Sequence, residues 1–251
     1  MNATENHFVS LEAFAEYENS INWFYSELVR LNTTVYILEQ IFDFPLDLFG
    51  FHYSPFFRML IDNFMQTAVL IITRLTTDHG NKHTFDRFKN RLGSLLKPEY
   101  HKQLKPHQES AKHILESIKQ KLKSLRNFRN AYVAHLAEDF VSGKTSIKRF
   151  DLTDLQQIRD ALNQLLHILS LKENHAYMMV PVDYSSEVVH PKGSQSDIER
   201  IFDSIARNSV ILNMPEDNPS MWFFKKQRLT AETIAVLNSY RRKFGLPEMA
   251  D

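Results

Sequence analysis

The sequence contains no cysteine, and this absence excludes disulfide bonds, thiolate nucleophiles and thiolate ligands for a metal ion. Glycine is scarce, with 6 residues among 251, and neither a Gly-rich phosphate loop nor an HExxH motif is present. No apolar run reaches the roughly 18 residues that a membrane span needs, and the first residues lack the pattern of a signal peptide. We therefore expect a cytoplasmic protein with no membrane partner, no metal and no other cofactor.

Charge of either sign is not in excess, because 30 Lys and Arg residues balance 30 Asp and Glu residues. A uniformly basic surface that would attract nucleic acid is thereby excluded. The balance is uneven along the chain, since residues 97–129 hold nine Lys or Arg and three Glu. Such a segment attracts a phosphate backbone through contacts that weaken as salt rises, although an ordinary solvated helix face is an alternative interpretation.

Hydrophobic residues recur three and four positions apart along much of the chain, which is the spacing of helices with one buried face. The first series runs from Phe14 to Leu38, and a second runs from Phe57 to Leu75 with Gly80 as its expected C-cap. These two series predict two long helices.

The next helices are marked by both spacing and capping residues. A short helix is predicted after Thr84, a third long helix over residues 114–136, with Pro106 before it, and a fourth that begins at Asp151 or Thr153. Four long helices joined by short ones indicate an all-α bundle of antiparallel helices.

Helical spacing is lost over residues 177–194, where prolines and a glycine occur. We place a domain boundary there, between a helical bundle of residues 1–176 and a smaller, partly irregular C-terminal appendage of residues 177–251. In the appendage we predict a short helix near residues 198–205, an irregular stretch, and a helix from Thr230 that ends at Gly245.

Two neighbouring faces of the third long helix carry contrasting side chains. On an ideal helix Arg129 projects about 40° from Leu125, inside an apolar stripe. A guanidinium in that position needs a phosphate, a wet cleft or an acid on a neighbouring helix. A second, mostly basic stripe lies at about 100–160°. Its members are Lys112, Lys119, Lys123, Arg126 and Asn130.

The segment RNFRNAYVAH, with Arg129, Asn130 and His135, resembles the motif of HEPN-domain proteins. In that motif an Arg, followed by a polar residue, precedes a His with four to six residues between them. The upstream sequence ITRLTTD, residues 72–78, resembles the corresponding helix of HEPN families from abortive-infection and toxin–antitoxin systems. The resemblance covers roughly residues 10–175 and implies a HEPN-like helical bundle.

Other short matches have simpler interpretations. Arg74 and His79 also have the permitted spacing, but no Asn follows that Arg, and we expect Arg74 to pair with Asp78 on the helix surface. His113 and Glu116 are spaced to chelate a metal ion, yet no matching set of ligands occurs on another helix. We therefore predict no metal site.

HEPN proteins with an intact motif are typically metal-independent endoribonucleases, so the resemblance implies RNA cleavage through 2′-OH attack by a defence or toxin effector. It implies that His135 is the general acid/base, Arg129 the phosphate clamp and Asn130 a polar orienter. The expected phosphate contacts on the basic stripe are Arg126, Lys123 and Lys119.

The predicted site needs more than one straight helix, because Arg129 and His135 project about 120° apart. Either the helix ends or bends near His135, or a second copy completes the site, and we favour a homodimer. An antitoxin or a nucleotidyltransferase is a further candidate partner, although Ala137 stands where some toxins carry a modified Tyr. The alternative is a non-catalytic helical binding or assembly protein in which Arg129 and His135 are structural.

Overall fold

A computed structural model of the chain shows an all-α protein, and no β-strand occurs among the residues it describes. Those residues are 3–46, 48–49, 55–77, 83–130, 151–171, 197–214 and 230–249. The helices they form are α1 (Leu11–Asp43), α2 (Pro55–Thr76), α3 (Phe85–Leu95), α4 (His101–Ser117), α5 (Lys119–Phe128), α6 (Leu152–Leu169), α7 (Asp197–Arg207), α8 (Val210–Asn213) and α9 (Ala231–Lys243).

The chain forms two compact units. Unit 1 comprises Met1–Leu38 and Asp62–Val182, and unit 2 comprises Glu39–Ile61 and Asp183–Asp251. The boundary predicted at residues 176 and 177 lies outside the described residues and stays a prediction.

Helix α1 confirms the prediction made from its apolar spacing. The predicted positions from Tyr17 to Leu38 are at most 2% exposed, while Phe14 at the start of the series is half-buried. Phe24 stacks on Phe85 of α3 with ring centroids 4.2 Å apart. Each fully buried side chain of this size contributes about 1.5–3 kcal/mol, so this face accounts for much of the stability of unit 1.

Helix α2 is long and apolar enough to cross a membrane when judged by length and composition alone. Core helices pass the same test, and the C-terminal half of α2 belongs to the core of unit 1. Its side chains exposed by 1% or less are Ala68, Val69, Ile71, Ile72, Thr73 and Leu75. The helix ends at Thr76, and the predicted cap, Gly80, lies outside the described residues.

The predicted helix over residues 114–136 is interrupted, and the prediction of one continuous helix is wrong at Ile118. Helix α4 includes Pro106, which we expected to precede the helix, and ends at Ser117. Ile118 then adopts φ −98° and ψ 0°, at the edge of the right-handed helical region, while its side chain is buried. The apolar spacing continues through this break, so periodicity alone could not show it.

Helix α6 begins where Asp151 predicts, because the Asp151 carboxylate accepts a hydrogen bond from the Asp154 N–H at 2.7 Å. Helices α4 and α5 both pack on α6. Five apolar positions three and four residues apart are completely buried: Leu155, Ile158, Leu162, Leu165 and Leu169. The helix therefore forms the centre against which the candidate site is built.

Beyond α6 the backbone turns at Leu171, which has a positive φ of 50°. Its side chain is 1% exposed, and its carbonyl accepts a hydrogen bond from the Ala3 N–H at 2.8 Å. The buried Tyr17 hydroxyl donates to the carbonyl of Ser170. These contacts attach the N-terminal residues and α1 to the end of α6.

Unit 2 is held together by aromatic rings. Phe44 stacks on Phe202 with centroids 4.4 Å apart, and Tyr240 meets the edge of Phe49 at 5.1 Å. Burial raises the pKa of Tyr240, and the carboxylate of Asp203 adds to the increase. Unit 2 therefore has a small hydrophobic core of its own.

The last helix, α9, has the boundaries that its capping residues predict. The Thr230 hydroxyl accepts a hydrogen bond from the Thr233 N–H at 3.2 Å. Gly245 has φ 70°, and the N–H groups of Gly245 and Leu246 reach back to the last turn, which is a Schellman ending. The irregular stretch predicted before α9 lies largely outside the described residues.

Candidate functional site

Helix α5 positions the residues of the predicted site. Its buried face consists of Leu122, Leu125 and Phe128, each at most 9% exposed. The Lys121 ammonium forms a salt bridge with Asp154 in the first turn of α6. One face of α5 is therefore fixed on α6, and the other faces are free to present polar side chains.

Arg129 follows α5 directly and has a half-buried side chain. Its Nε and Nη2 groups donate hydrogen bonds to Oδ1 of Asn130, at 3.1 and 2.9 Å. Two donors on one planar guanidinium share one acceptor, so this contact sets the orientation of the group. Within the described parts of the chain, no carboxylate forms a salt bridge with Arg129. The contact is the one that a polar orienter at position 130 would make.

The basic stripe is exposed along α5, as the helical projection predicts. Lys119 forms a salt bridge with Glu116 at 2.9 Å, so its charge is partly balanced. Lys123 and Arg126 make no ion pair with any residue that the structure describes. Because these two residues are three positions apart, their positive charges lie on the same face of α5.

His135 lies outside the described residues, so its distance from Arg129 stays untested. The predicted helix positions beyond Asn130 lie outside them as well. The roles assigned to Arg129, Asn130 and His135 therefore remain predictions that the geometry around Arg129 accommodates.

The weaker candidate for a metal site consists of His113 and Glu116. His113 is exposed, and both carboxylate oxygens of Glu116 accept hydrogen bonds from Lys119. No group of three His, Asp or Glu side chains suited to a metal ion occurs in the described ranges.

An ion cluster that the sequence interpretation missed lies between α1 and α2 in unit 1. Arg74 contacts Glu27 of α1, with Nη2 and Oε2 2.6 Å apart. The predicted partner, Asp78, lies outside the described residues. The sequence signal for Glu27 is its spacing, because Ser20, Glu27 and Thr34 recur every seven residues directly before apolar positions of α1. All three are buried in the structure.

The chain is all-α where the structure describes it, and an Arg-Asn pair directly follows the basic helix α5, as in the motif on which the resemblance to HEPN-domain proteins rests. The family model HEPN_AbiU2, described as AbiU2, matches residues 45–179, which is more than half of the chain. The chain therefore belongs to this HEPN family of abortive-infection proteins, and the resemblance noted in the sequence is confirmed. The matched range includes Arg129, Asn130 and His135. No curated protein and no solved structure matches the chain.

Proposed function

We propose that the protein is a metal-independent endoribonuclease that acts as a defence effector. The observation that supports this best is the contact between Arg129 and Asn130. A neutral amide orients the guanidinium without cancelling its charge. A carboxylate partner would orient the guanidinium and also cancel its charge. Arg129 therefore keeps a positive charge that can bind a phosphate group, and membership of an abortive-infection family fits a defence role.

The proposed chemistry uses side chains only. His135 takes the proton from a ribose 2′-OH, and the 2′ oxygen then attacks the adjacent phosphorus. Arg129 stabilises the charge that builds on the phosphate oxygens. The bond from phosphorus to the 5′ oxygen breaks, a proton passes to that oxygen, and a 2′,3′-cyclic phosphate remains. Only RNA provides the 2′-OH for this reaction.

A second copy of the chain is part of the proposal. On an ideal helix, residues 129 and 135 would point about 120° apart, and we therefore favour a site in which His135 of one copy acts with Arg129 of the other over a helix that ends or bends near His135. A solution mass measurement of the full chain tests this assembly directly, and we expect a dimer.

The proposed function predicts cleavage without divalent metal. We expect the purified full chain to cleave single-stranded RNA in excess EDTA and to leave 2′,3′-cyclic phosphate ends, while DNA of the same sequence stays intact. End-group analysis by mass spectrometry provides the measurement. Cleavage of RNA that EDTA abolishes would contradict the proposal, and binding of RNA without cleavage would support the non-catalytic alternative.

The exposed cations of α5 predict a defined salt dependence of RNA binding. Each neutralised phosphate of a single strand contributes about −0.7 to the slope of log K against log salt, so Lys119, Lys123 and Arg126 together give about −2. Changing Lys123 or Arg126 to Gln should reduce the slope by about 0.7. The slope is measured by fluorescence anisotropy with a 2′-O-methyl RNA, which cannot be cleaved by this chemistry.

The matched control for this titration is Lys105→Gln. Lys105 is an exposed lysine of α4 that lies 4.0 Å from Glu109, and it is not a member of the basic stripe. It should leave the slope unchanged. A double Lys123→Gln and Arg126→Gln protein with the wild-type slope would show that RNA does not bind to this stripe.

A further inference from the structure

Two arginines of unit 1 share one buried carboxylate. Glu27 of α1 has a side chain that is 7% exposed. Its Oε1 accepts a hydrogen bond from Nη1 of Arg30 at 2.9 Å, and its Oε2 lies 2.6 Å from Nη2 of Arg74 at the end of α2. Each guanidinium group therefore contacts a different oxygen of the same carboxylate.

Among the residues that the structure describes, a single carboxylate faces the two guanidinium groups, so these three side chains together carry one excess positive charge. The acid is buried, but the side chains of Arg30 and Arg74 are 58% and 41% exposed. Each guanidinium has five N–H donors, and Glu27 uses only a small part of them. The guanidinium groups of Arg30 and Arg74 are therefore accessible to solvent, and the buried carboxylate of Glu27 holds both of them.

The contact geometry of Arg74 shows that Glu27 does not fully satisfy both arginines. An isolated Arg and carboxylate commonly form two parallel hydrogen bonds. Here Oε1 is taken by Arg30, and Nε of Arg74 and Oε2 of Glu27 are buried without a well-oriented hydrogen bond. If the cluster only joined α1 to α2, a single arginine with two parallel hydrogen bonds to Glu27 would stabilise that contact better.

We propose that Arg30 and Arg74 form a phosphate-binding site and that Glu27 is the positioning residue that holds them together. Each guanidinium would donate hydrogen bonds to an oxygen of the same phosphate group, and arginine is well suited to this geometry. The phosphate belongs either to an RNA backbone or to a free phosphate compound such as a nucleotide. This site uses none of the residues assigned to RNA cleavage and does not depend on that activity.

The test compares the full chain with Arg30→Gln, Arg74→Gln and the double variant. Isothermal titration calorimetry at constant ionic strength uses three probes: inorganic phosphate, AMP and a 2′-O-methyl RNA. Each single change removes charged hydrogen bonds and should weaken binding about tenfold to a hundredfold. Loss of affinity for all three probes identifies the site as a backbone contact. Loss restricted to phosphate and AMP identifies it as a site for a free phosphate compound.

The matched control is Arg91→Gln. Arg91 of α3 is 56% exposed and donates to Glu16 at 2.7 Å, so it represents one arginine paired with one acid. Its affinity for every probe should equal that of the wild type. The proposal is overturned if the wild-type chain binds no phosphate probe, or if the double variant binds as tightly as Arg91→Gln. Should Arg74→Gln fail to fold, Arg30→Gln decides alone, because Arg30 is mostly exposed.

Discussion

The change His135→Ala is expected to lower the rate of RNA cleavage by about 10²–10⁴-fold, and Arg129→Ala by about 10²–10³-fold. The first change removes the group that transfers protons, and the second removes the charge that faces the developing negative charge on phosphate. Single-turnover cleavage in EDTA, with protein in excess over RNA, measures the chemical step apart from weakened binding.

Matched controls for these two variants are His113→Ala and Arg91→Ala, which remove an exposed imidazole and an exposed guanidinium from other helices of unit 1. Both should cleave RNA at the wild-type rate. If His135→Ala and Arg129→Ala also cleave at that rate while they retain the helical circular dichroism spectrum, the ribonuclease proposal fails.

Mixing the two inactive variants locates the site within the assembly. If Arg129 of one copy acts with His135 of the other, a mixed dimer contains one intact site and one doubly mutated site. Random assembly of co-expressed variants makes half of the dimers mixed, so about a quarter of wild-type activity should return. No recovery in a verified mixture would mean that both residues act from the same chain.

The second large effect is expected in the core of unit 1. Leu165→Ala should lower the free energy of unfolding by about 2–5 kcal/mol, because Leu165 is completely buried on α6 and the cavity cannot close fully. Denaturant titration of the full chain measures this change. Gln164→Ala is the matched control on the same helix, because Gln164 is exposed and should change stability by less than about 0.5 kcal/mol. Equal stabilities for the two variants would contradict the assignment of α6 as the central helix.

Features set by neighbouring residues could be predicted from the sequence. The apolar series from Tyr17 to Leu38 lies on one buried face of α1. Asp151 caps α6 through a hydrogen bond that spans three residues, and the end of α9 at Gly245 depends on one left-handed residue. In each case a short-range rule is sufficient.

Features that depend on packing between helices could not be predicted in this way. The break at Ile118 leaves the apolar period intact, so only the packed structure shows it. For Arg74 the sequence predicts a pair with Asp78, four positions further along the chain. The structure provides Glu27 from α1 instead, and nothing in local spacing relates two residues on different helices. The candidate site shows the same difference: the contact between Arg129 and Asn130 is local, whereas the second copy that we propose would have to be placed by long-range packing.

The left-handed turn at Leu171 affects how mutational scans of this chain should be interpreted. A positive φ costs a residue with a Cβ about 1–2 kcal/mol, while burying a leucine returns about 1.5–3 kcal/mol. Alanine at this position would retain the cost of the positive φ and lose the stabilisation from burial. Glycine would lose the stabilisation from burial too, but it would also remove the cost of the positive φ. Glycine is then the milder replacement here, and alanine scanning alone would overstate how much this side chain adds to the native state.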